Sequence, residues 1–191
     1  MTQDAMIRWL SDVGRKDVSE VGGKNASLGE MIRELKHAGV RVPEGFATTS
    51  NAYWLVIDAN NLREFIASAL SKLRKDMSNL ADVGREIRVA ILGASLPATL
   101  TDRILGYYRR MAVDDGQLPS VAVRSSATAE DLPEASFAGQ LESYLIVCGE
   151  SALLDAFKYC LASLFTDRAI SYRTTHGFEH TAVALSVGVQ R

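Results

Sequence analysis

The chain has 191 residues, of which 47% are hydrophobic and 23% charged, and its formal net charge is −2. This composition is that of a globular protein with a substantial core, and the near-neutral charge excludes a broad basic surface for nucleic acid or a polybasic membrane patch. Any anionic ligand must therefore be held by local groups. We expect no nucleic-acid partner and no membrane partner.

The first residues carry an acidic side chain and lack the apolar core of a secretory signal, and no apolar run is long enough to span a bilayer. We therefore expect a cytoplasmic protein. In that reducing compartment Cys148 and Cys160 are expected to be free thiols.

Apolar periodicity in the first sixty residues predicts alternating strands and helices. Residues 6–10 are expected to form a short strand, and apolar side chains at helical spacing predict a helix over residues 25–35. Residues 40–49 predict a turn into a second strand. Ser50 or Asn51 is expected to cap the next helix.

The remainder begins with a helical section over residues 62–112, interrupted near residues 78–79 and 93–97. Later patterns predict further elements: a strand over Val121–Arg124 followed by a small-residue loop, a strand over 140–147, helices over 151–165 and 167–176, and a β-type run over 181–191. A buried terminal strand needs neighbours on both sides. We therefore expect the natural polypeptide to continue, and homodimerisation through an unfinished edge stays open.

Arg124 is the first candidate for binding a phosphate. We expect it to lie at the end of its strand, where its guanidinium offers a permanent positive charge and a planar set of hydrogen-bond donors. The following small residues let backbone N–H groups converge on an anion, and the candidates are Ser136, Phe137, Ala138, Gly139 and Gln140. The sequence therefore predicts a phosphate loop beside a cationic strand.

Alternatives remain for both features. Arg124 could pair with Glu130, Asp131 or Glu134, which otherwise form a solvated acidic turn. Residues 136–140 could form a tight hairpin, which is compatible with a phosphate loop.

Lys24 is the second candidate, because it follows a glycine pair at the predicted start of a helix. The spacing is not that of a Walker P-loop, and a solvent-exposed lysine in a first helical turn is the alternative. Two separate cationic motifs favour a polyphosphate ligand.

A zinc site is not predicted, although His176 and His180 stand four residues apart. Gly177 interrupts the helix that would align them, and Cys148 and Cys160 are too far apart for the usual half-site.

The motifs together resemble the N-terminal nucleotide-binding region of the phosphoenolpyruvate synthase (pyruvate, water dikinase) family. The matching segments are Val21–Ile32, Val42–Thr49, Val123–Asp131, Ala135–Gln140 and Ser163–Arg173. The resemblance implies an α+β, ATP-grasp-type lobe over residues 1–191 that is only part of the nucleotide-binding domain. It implies that Lys24 and Arg124 bind ATP phosphates beneath the Ser136–Gln140 loop.

The resemblance also implies what lies elsewhere. The second lobe with the Mg²⁺ ligands, the phosphohistidine domain and the pyruvate-binding barrel are expected beyond residue 191. The whole enzyme would convert ATP, pyruvate and water into AMP, phosphoenolpyruvate and phosphate, whereas the isolated chain would not turn over. Leu141 replaces a glutamine that is common in the family. A related dikinase, a rifampicin phosphotransferase lobe and a non-catalytic nucleotide-binding module are the alternatives.

Overall fold

The computed structural model describes residues 6–40, 42–113, 116–128, 131–132, 135–136 and 142–191. Over these residues the chain has a mixed architecture of helices and antiparallel strands. The strands are β1 (Ile7–Trp9), β2 (Gly45–Thr48), β3 (Val121–Ala127), β4 (Asp131–Leu132), β5 (Ala135–Ser136), β6 (Ser143–Val147) and β7 (Leu185–Gln190). The helices are α1 (Val18–His37), α2 (Ser50–Ala59), α3 (Leu62–Ser71), α4 (Leu80–Gly93), α5 (Ala98–Arg109), α6 (Glu150–Ser163) and α7 (Asp167–Thr175), and short 3₁₀ turns form at Leu10–Asp12 and Arg15–Asp17.

The main sheet has five strands in the order β1-β2-β7-β3-β6, and neighbouring strands run antiparallel. The terminal strand β7 lies at its centre, where it pairs with β2 on one side and β3 on the other. All six residues of β7 are buried. The expectation of an unfinished edge at this strand is therefore wrong, because β2 and β3 supply both neighbours from within the chain.

The two faces of the main sheet carry different side chains. On β7, Leu185, Val187 and Val189 belong to the main hydrophobic core, which includes residues of α2 to α7. The alternate positions are small or polar, and this other face receives α1, which contacts β3 and β7. A smaller apolar cluster lies under α1 and consists of Leu10, Val13, Val21, Ala26 and Ala47. The sheet thus has a thick helical layer on one face and a single helix on the other.

The predicted helical section is confirmed, with α3, α4 and α5 separated near the predicted interruptions. The predicted cap of α2 is displaced by one residue. Thr49, in an extended conformation, precedes α2, and Thr166 caps α7 by accepting a hydrogen bond from the Ala169 N–H at 3.3 Å. Within the described part of the chain, no helix combines the length and apolar character that crossing a bilayer requires.

Strand β3 extends beyond the predicted end at Arg124. The predicted small-residue loop continues the strand to Ala127 because Ser125, Ser126 and Ala127 pair in register with β7. The hydroxyls of the two serines also form hydrogen bonds. Ser125 Oγ donates to the Glu142 carbonyl at 3.1 Å, and Ser126 Oγ accepts from a backbone N–H. Arg124 consequently lies within a strand rather than at its end.

Helix α1 approaches the first 3₁₀ turn too closely for a side chain at Gly29. A Cβ at this position would lie 2.1 Å from the Val13 carbonyl oxygen and 2.6 Å from that of Leu10. Backbone atoms cannot move aside as a flexible side chain could. The glycine is therefore a packing requirement that overrides its poor helix propensity.

We predict that Gly29→Ala lowers the free energy of unfolding by about 1–3 kcal/mol, because the added methyl overpacks the backbone. The matched control is Gly106→Ala in α5, where nothing lies within 4 Å of the added Cβ. That variant should gain about 0.5–1 kcal/mol from helix propensity. Urea unfolding measures both, and equal effects in the two variants would contradict the close approach.

Candidate functional site

Lys24 lies just after a break in α1. Gly22 has φ 73° and ψ 162°, a conformation that is almost exclusive to glycine. A Cβ there would lie 2.2 Å from Ser126 Oγ and 2.7 Å from the Ser126 carbonyl oxygen, so the turn packs directly on β3. The Lys24 backbone N–H donates to Ser126 Oγ at 3.2 Å. The main part of α1 therefore begins against the strand that carries Arg124.

Asn25 attaches the same turn to the centre of the sheet. Its side chain is buried, and Nδ2 donates to the Val21 carbonyl at 3.0 Å and to Ser186 Oγ at 2.9 Å. Ser186 Oγ in turn donates to the Thr48 carbonyl. A Cβ on Gly188 would lie 2.2 Å from Asn25 Oδ1. The start of the helix is thus fixed by contacts to β3, β7 and β2.

Arg124 lies on the same face of the sheet as this turn. It pairs directly with Gly188, and Ser126 pairs with Ser186. Because directly opposed residues in antiparallel strands point to one face, Arg124 shares the face that α1 covers. Its side chain is exposed. The structure therefore brings Lys24 and Arg124 to one face, as the two predicted phosphate motifs require.

The predicted phosphate loop is described only where it begins. Ser136 pairs with Asp131 in a two-stranded hairpin, β4 with β5, and β4 contacts α1. Phe137, Ala138, Gly139 and Gln140 lie outside the described residues, as do Leu141, Glu130 and Glu134. The hairpin that leads into the loop thus contacts the helix that carries Lys24.

Comparison with known proteins identifies the family of this chain. Residues 18–191 match the family model described as the pyruvate phosphate dikinase, AMP/ATP-binding domain. The chain belongs to this family. Lys24 and Arg124 both lie within the matched range.

Three curated relatives span nearly the whole chain. The phosphoenolpyruvate synthase of Aquifex aeolicus (strain VF5) is 49% identical over 189 residues, that of Neisseria meningitidis serogroup B 52% over 190, and that of Escherichia coli (strain K12) 48% over 187. These matches cover 98%, 98% and 97% of the chain but only 22%, 24% and 24% of the relatives. The chain therefore spans less than a quarter of the length of these relatives.

Cys160, in α6, is not suited to nucleophilic chemistry. Burial raises the pKa of its thiol, Glu142 raises it further, and the positive charge of Lys24 opposes the rise. Both Cys160 and the exposed Cys148 are free cysteines, as predicted.

Both ring nitrogens of His180 have hydrogen-bond partners within the protein. Its Nδ1 accepts from Arg173 Nε at 2.9 Å, and its Nε2 lies 3.2 Å from Thr174 Oγ1. His176 Nδ1 lies 2.9 Å from the Tyr172 carbonyl oxygen. Over the described residues, no three His, Cys, Asp or Glu side chains are grouped as a metal site would require.

The sequence predicts Lys24 and Arg124 as site residues, and it gives no prediction for the residues that fix the turn beside Lys24. These residues are Asn25, Ser126 and Ser186, and their contacts join distant parts of the chain. Lys24 and Ser126 are 102 residues apart in the sequence, and Asn25 and Ser186 are 161 apart. One signal was available: an asparagine in a helix interior competes with the backbone for hydrogen bonds unless it has a dedicated partner.

We predict that His180 makes stability fall in mild acid. Burial, reinforced by the Arg173 charge, lowers its pKa from 6.5 to about 4, so the folded state resists a proton that the unfolded state binds. The resulting stability is complete above pH 6.5 and is lost as the pH falls towards 4. Between pH 7 and about 4.5 the wild type should lose about 1–2 kcal/mol through this group, because solvent around the partly buried ring reduces the effect of the full shift.

His180→Gln removes the titration but keeps an acceptor for Arg173, so its free energy of unfolding should change less over that interval. His176→Gln, at an exposed position, is the matched control and should retain the wild-type slope. Urea unfolding at a series of pH values measures the slopes. Indistinguishable slopes for the wild type and His180→Gln would show that another group titrates.

Proposed function

We propose that the chain is the ATP-binding N-terminal part of a phosphoenolpyruvate synthase and the first lobe of an ATP-grasp fold. In this proposal Lys24 and Arg124 bind the phosphates of ATP. The observation that carries it is the common face of the Lys24 turn and Arg124, in a chain that belongs to an AMP/ATP-binding family. The identity to several phosphoenolpyruvate synthases favours that enzyme over a related dikinase or a rifampicin phosphotransferase.

The two cations would contribute in different ways. Because Ser126 already accepts the Lys24 amide, the group that Lys24 offers to a phosphate is its ammonium, a compact charge on a flexible stem. Arg124 offers a planar fork that can bind two phosphate oxygens at once. During phosphoryl transfer, positive groups held in place offset the charge on the transferred group without having to reorganise.

The loop formed by Ser136, Phe137, Ala138, Gly139 and Gln140 would complete the phosphate site. The hairpin before it contacts α1, which supports a position near Lys24. A glycine among small residues allows successive backbone N–H groups to point at one anion. We propose that these groups position the polyphosphate while the two side chains neutralise it.

Mg²⁺ would screen the ATP phosphates in the complete enzyme. The described residues offer no cluster of carboxylates for it. We therefore propose that its ligands belong to a second lobe outside this chain. The contribution of Lys24 and Arg124 would be to bind and orient the nucleotide.

The activity of the whole enzyme is proposed from the relatives. The full-length protein would convert ATP, pyruvate and water into AMP, phosphoenolpyruvate and phosphate through a phosphohistidine, in the cytoplasm. Pyruvate would bind to domains outside this chain. Because less than a quarter of the relatives' length is present, we propose that the isolated chain binds ATP without turnover.

We predict that Lys24→Ala and Arg124→Ala each weaken ATP binding by about 10- to 100-fold, the value of a lost charge-assisted hydrogen bond. Isothermal titration of the 191-residue chain with ATP measures the change. Lys75→Ala and Arg85→Ala are matched controls, because they remove the same charges from exposed positions after α3 and on α4. Circular dichroism and urea unfolding check that every variant is folded.

Three outcomes would contradict the proposal. If the wild-type chain is folded but does not bind ATP, this lobe has no nucleotide site of its own. Equal weakening in the control variants would indicate general charge attraction rather than a local site. ATP hydrolysis by the isolated chain at the rate of a full enzyme would contradict the proposal that turnover requires domains outside this chain.

A further inference from the structure

A groove of about 530 Å³ lies beside the end of β7. Its apolar lining comes from Trp9 in β1, from Ile32 in α1, and from Val40, Val42 and Pro43 in the segment before β2. Val40 is 51% exposed. Apolar clefts of this size on a protein surface are typical of binding sites. The groove is therefore a candidate docking surface.

Arg191, the residue after β7, lines the same groove. Strand β7 pairs with β2 up to Gln190, which lies opposite Gly45. The Arg191 N–H then donates to the Glu44 carbonyl at 3.1 Å, so the antiparallel pairing continues past Gly45 in the direction of Pro43. A residue that follows Arg191 along this course would lie opposite Pro43, at the groove itself.

The backbone hydrogen bonds between the two strands are interrupted at Pro43. This residue has no N–H to donate, and its carbonyl already accepts from Gln190 Nε2 at 3.3 Å. What the groove offers to a following segment is therefore apolar side-chain contact rather than further strand pairing. Burial of apolar surface is the main favourable contribution to such a contact.

Other contacts hold two parts of the groove in place. The Trp9 ring packs on Tyr107 with the ring centroids 4.7 Å apart, and the Arg110 guanidinium carbon lies 5.0 Å from the Trp9 centroid. Arg191 Nη2 donates to the Met111 carbonyl. Because these side chains are already ordered, binding here costs little additional conformational entropy.

We propose that the segment following Arg191 in the full-length protein packs apolar side chains into this groove and thereby attaches the second lobe to the first. This inference rests on the proposed function, in which the polypeptide continues into that lobe. The chain spans only 22–24% of the length of the three relatives compared above. Because Arg191 already lies at the groove, the next residues reach it without closing a long loop, and a separate molecule would have to compete with this tethered segment.

Helix α1 connects the groove to the proposed phosphate site. Ile32 lines the groove, and Lys24 lies about two turns earlier on the same helix, which is about 12 Å along its axis. A segment packed on Ile32 would therefore hold the second lobe against the helix that carries Lys24. In the proposal, this contact determines where the second lobe lies relative to the ATP phosphates.

Photo-crosslinking in the full-length protein identifies the occupant directly. A benzophenone amino acid placed at Val40 should crosslink to about the first 10 residues after Arg191, which span at most about 35 Å when extended. The same amino acid placed at Val89, which is 63% exposed on α4, is the matched control and should not crosslink to that segment. Crosslinks from Val40 to another region, to a second molecule or to nothing would overturn the proposal.

Trypsin tests the packing at the same place, because it cleaves after arginine and the packed segment should protect the bond that follows Arg191. In the full-length protein, Val40→Asp places a charge against apolar side chains, so cleavage after Arg191 should become at least about tenfold faster. Val89→Asp is the matched control and should keep the wild-type rate. Equal rates in the wild type and Val40→Asp would contradict the packing.

Thermal unfolding of the 191-residue chain checks that Val40→Asp is folded. Without the following segment this position is half exposed, so the Tm should shift by less than about 2 °C. If the shift is larger, the crosslinking experiment decides alone.

Titration with ATP separates this inference from the proposed function. ATP binding by the full-length protein without a crosslink between Val40 and the following segment would contradict the docking alone. The crosslink without ATP binding would contradict the proposed nucleotide site alone.

Discussion

The close approach of α1 to the small and polar face of the sheet is the constraint on which the candidate site depends. At Gly22 the helix backbone meets Ser126, and at Gly188 the sheet backbone meets Asn25. Neither contact leaves room for a Cβ. The close approach of the helix start to the sheet therefore depends on glycine at both positions, because Gly22 meets the Ser126 hydroxyl and carbonyl and Gly188 meets the Asn25 side chain. These contacts fix the backbone positions of Lys24 and Arg124, because Lys24 closely follows Gly22 in the chain and Arg124 pairs with Gly188 on the neighbouring strand.

Rigid placement of this kind suits electrostatic binding of phosphates. A charged group contributes most when it need not be reorganised on binding, and supporting hydrogen bonds are what hold it in place. Asn25 and Ser126 provide that support through hydrogen bonds that connect α1 to β7 and to β3. In the proposal, the loop would add further contacts to this fixed frame. The division resembles a general pattern in which regular elements position a site and loops complete it.

Buried polar groups on the two faces of the sheet differ in whether all their donors have hydrogen-bond partners. Under α1, Asn25 Nδ2 meets two acceptors, so its burial is compensated locally. In the main core, Arg173 satisfies two of its nitrogens but leaves Nη1 without a partner among the described residues. A polar group that remains unsatisfied in an otherwise paired interior calls for a ligand or an ordered solvent molecule.

The sequence predicted the existence of most elements because their signals are local. The apolar periods of α3 to α6 are examples, and the predicted cap of α2 differed by only one residue. Two features depend on distant segments and were therefore missed. The extension of β3 past Arg124 requires β7, and the full pairing of β7 requires β2. The candidate cations were recognisable as motifs, whereas the residues that fix them were visible only in three dimensions.

The central position of β7 has a consequence for the order in which the protein folds during synthesis. Residues 45–48 and 121–127 leave the ribosome well before residues 185–190, which must insert between them. Until then β1 with β2 and β3 with β6 are two separate ribbons, each with an open side and little independent stability. Closure over such sequence separations is slow. A nascent chain therefore carries these exposed ribbons until residues 185–190 have been synthesised, and it is open to misassociation or chaperone capture until then.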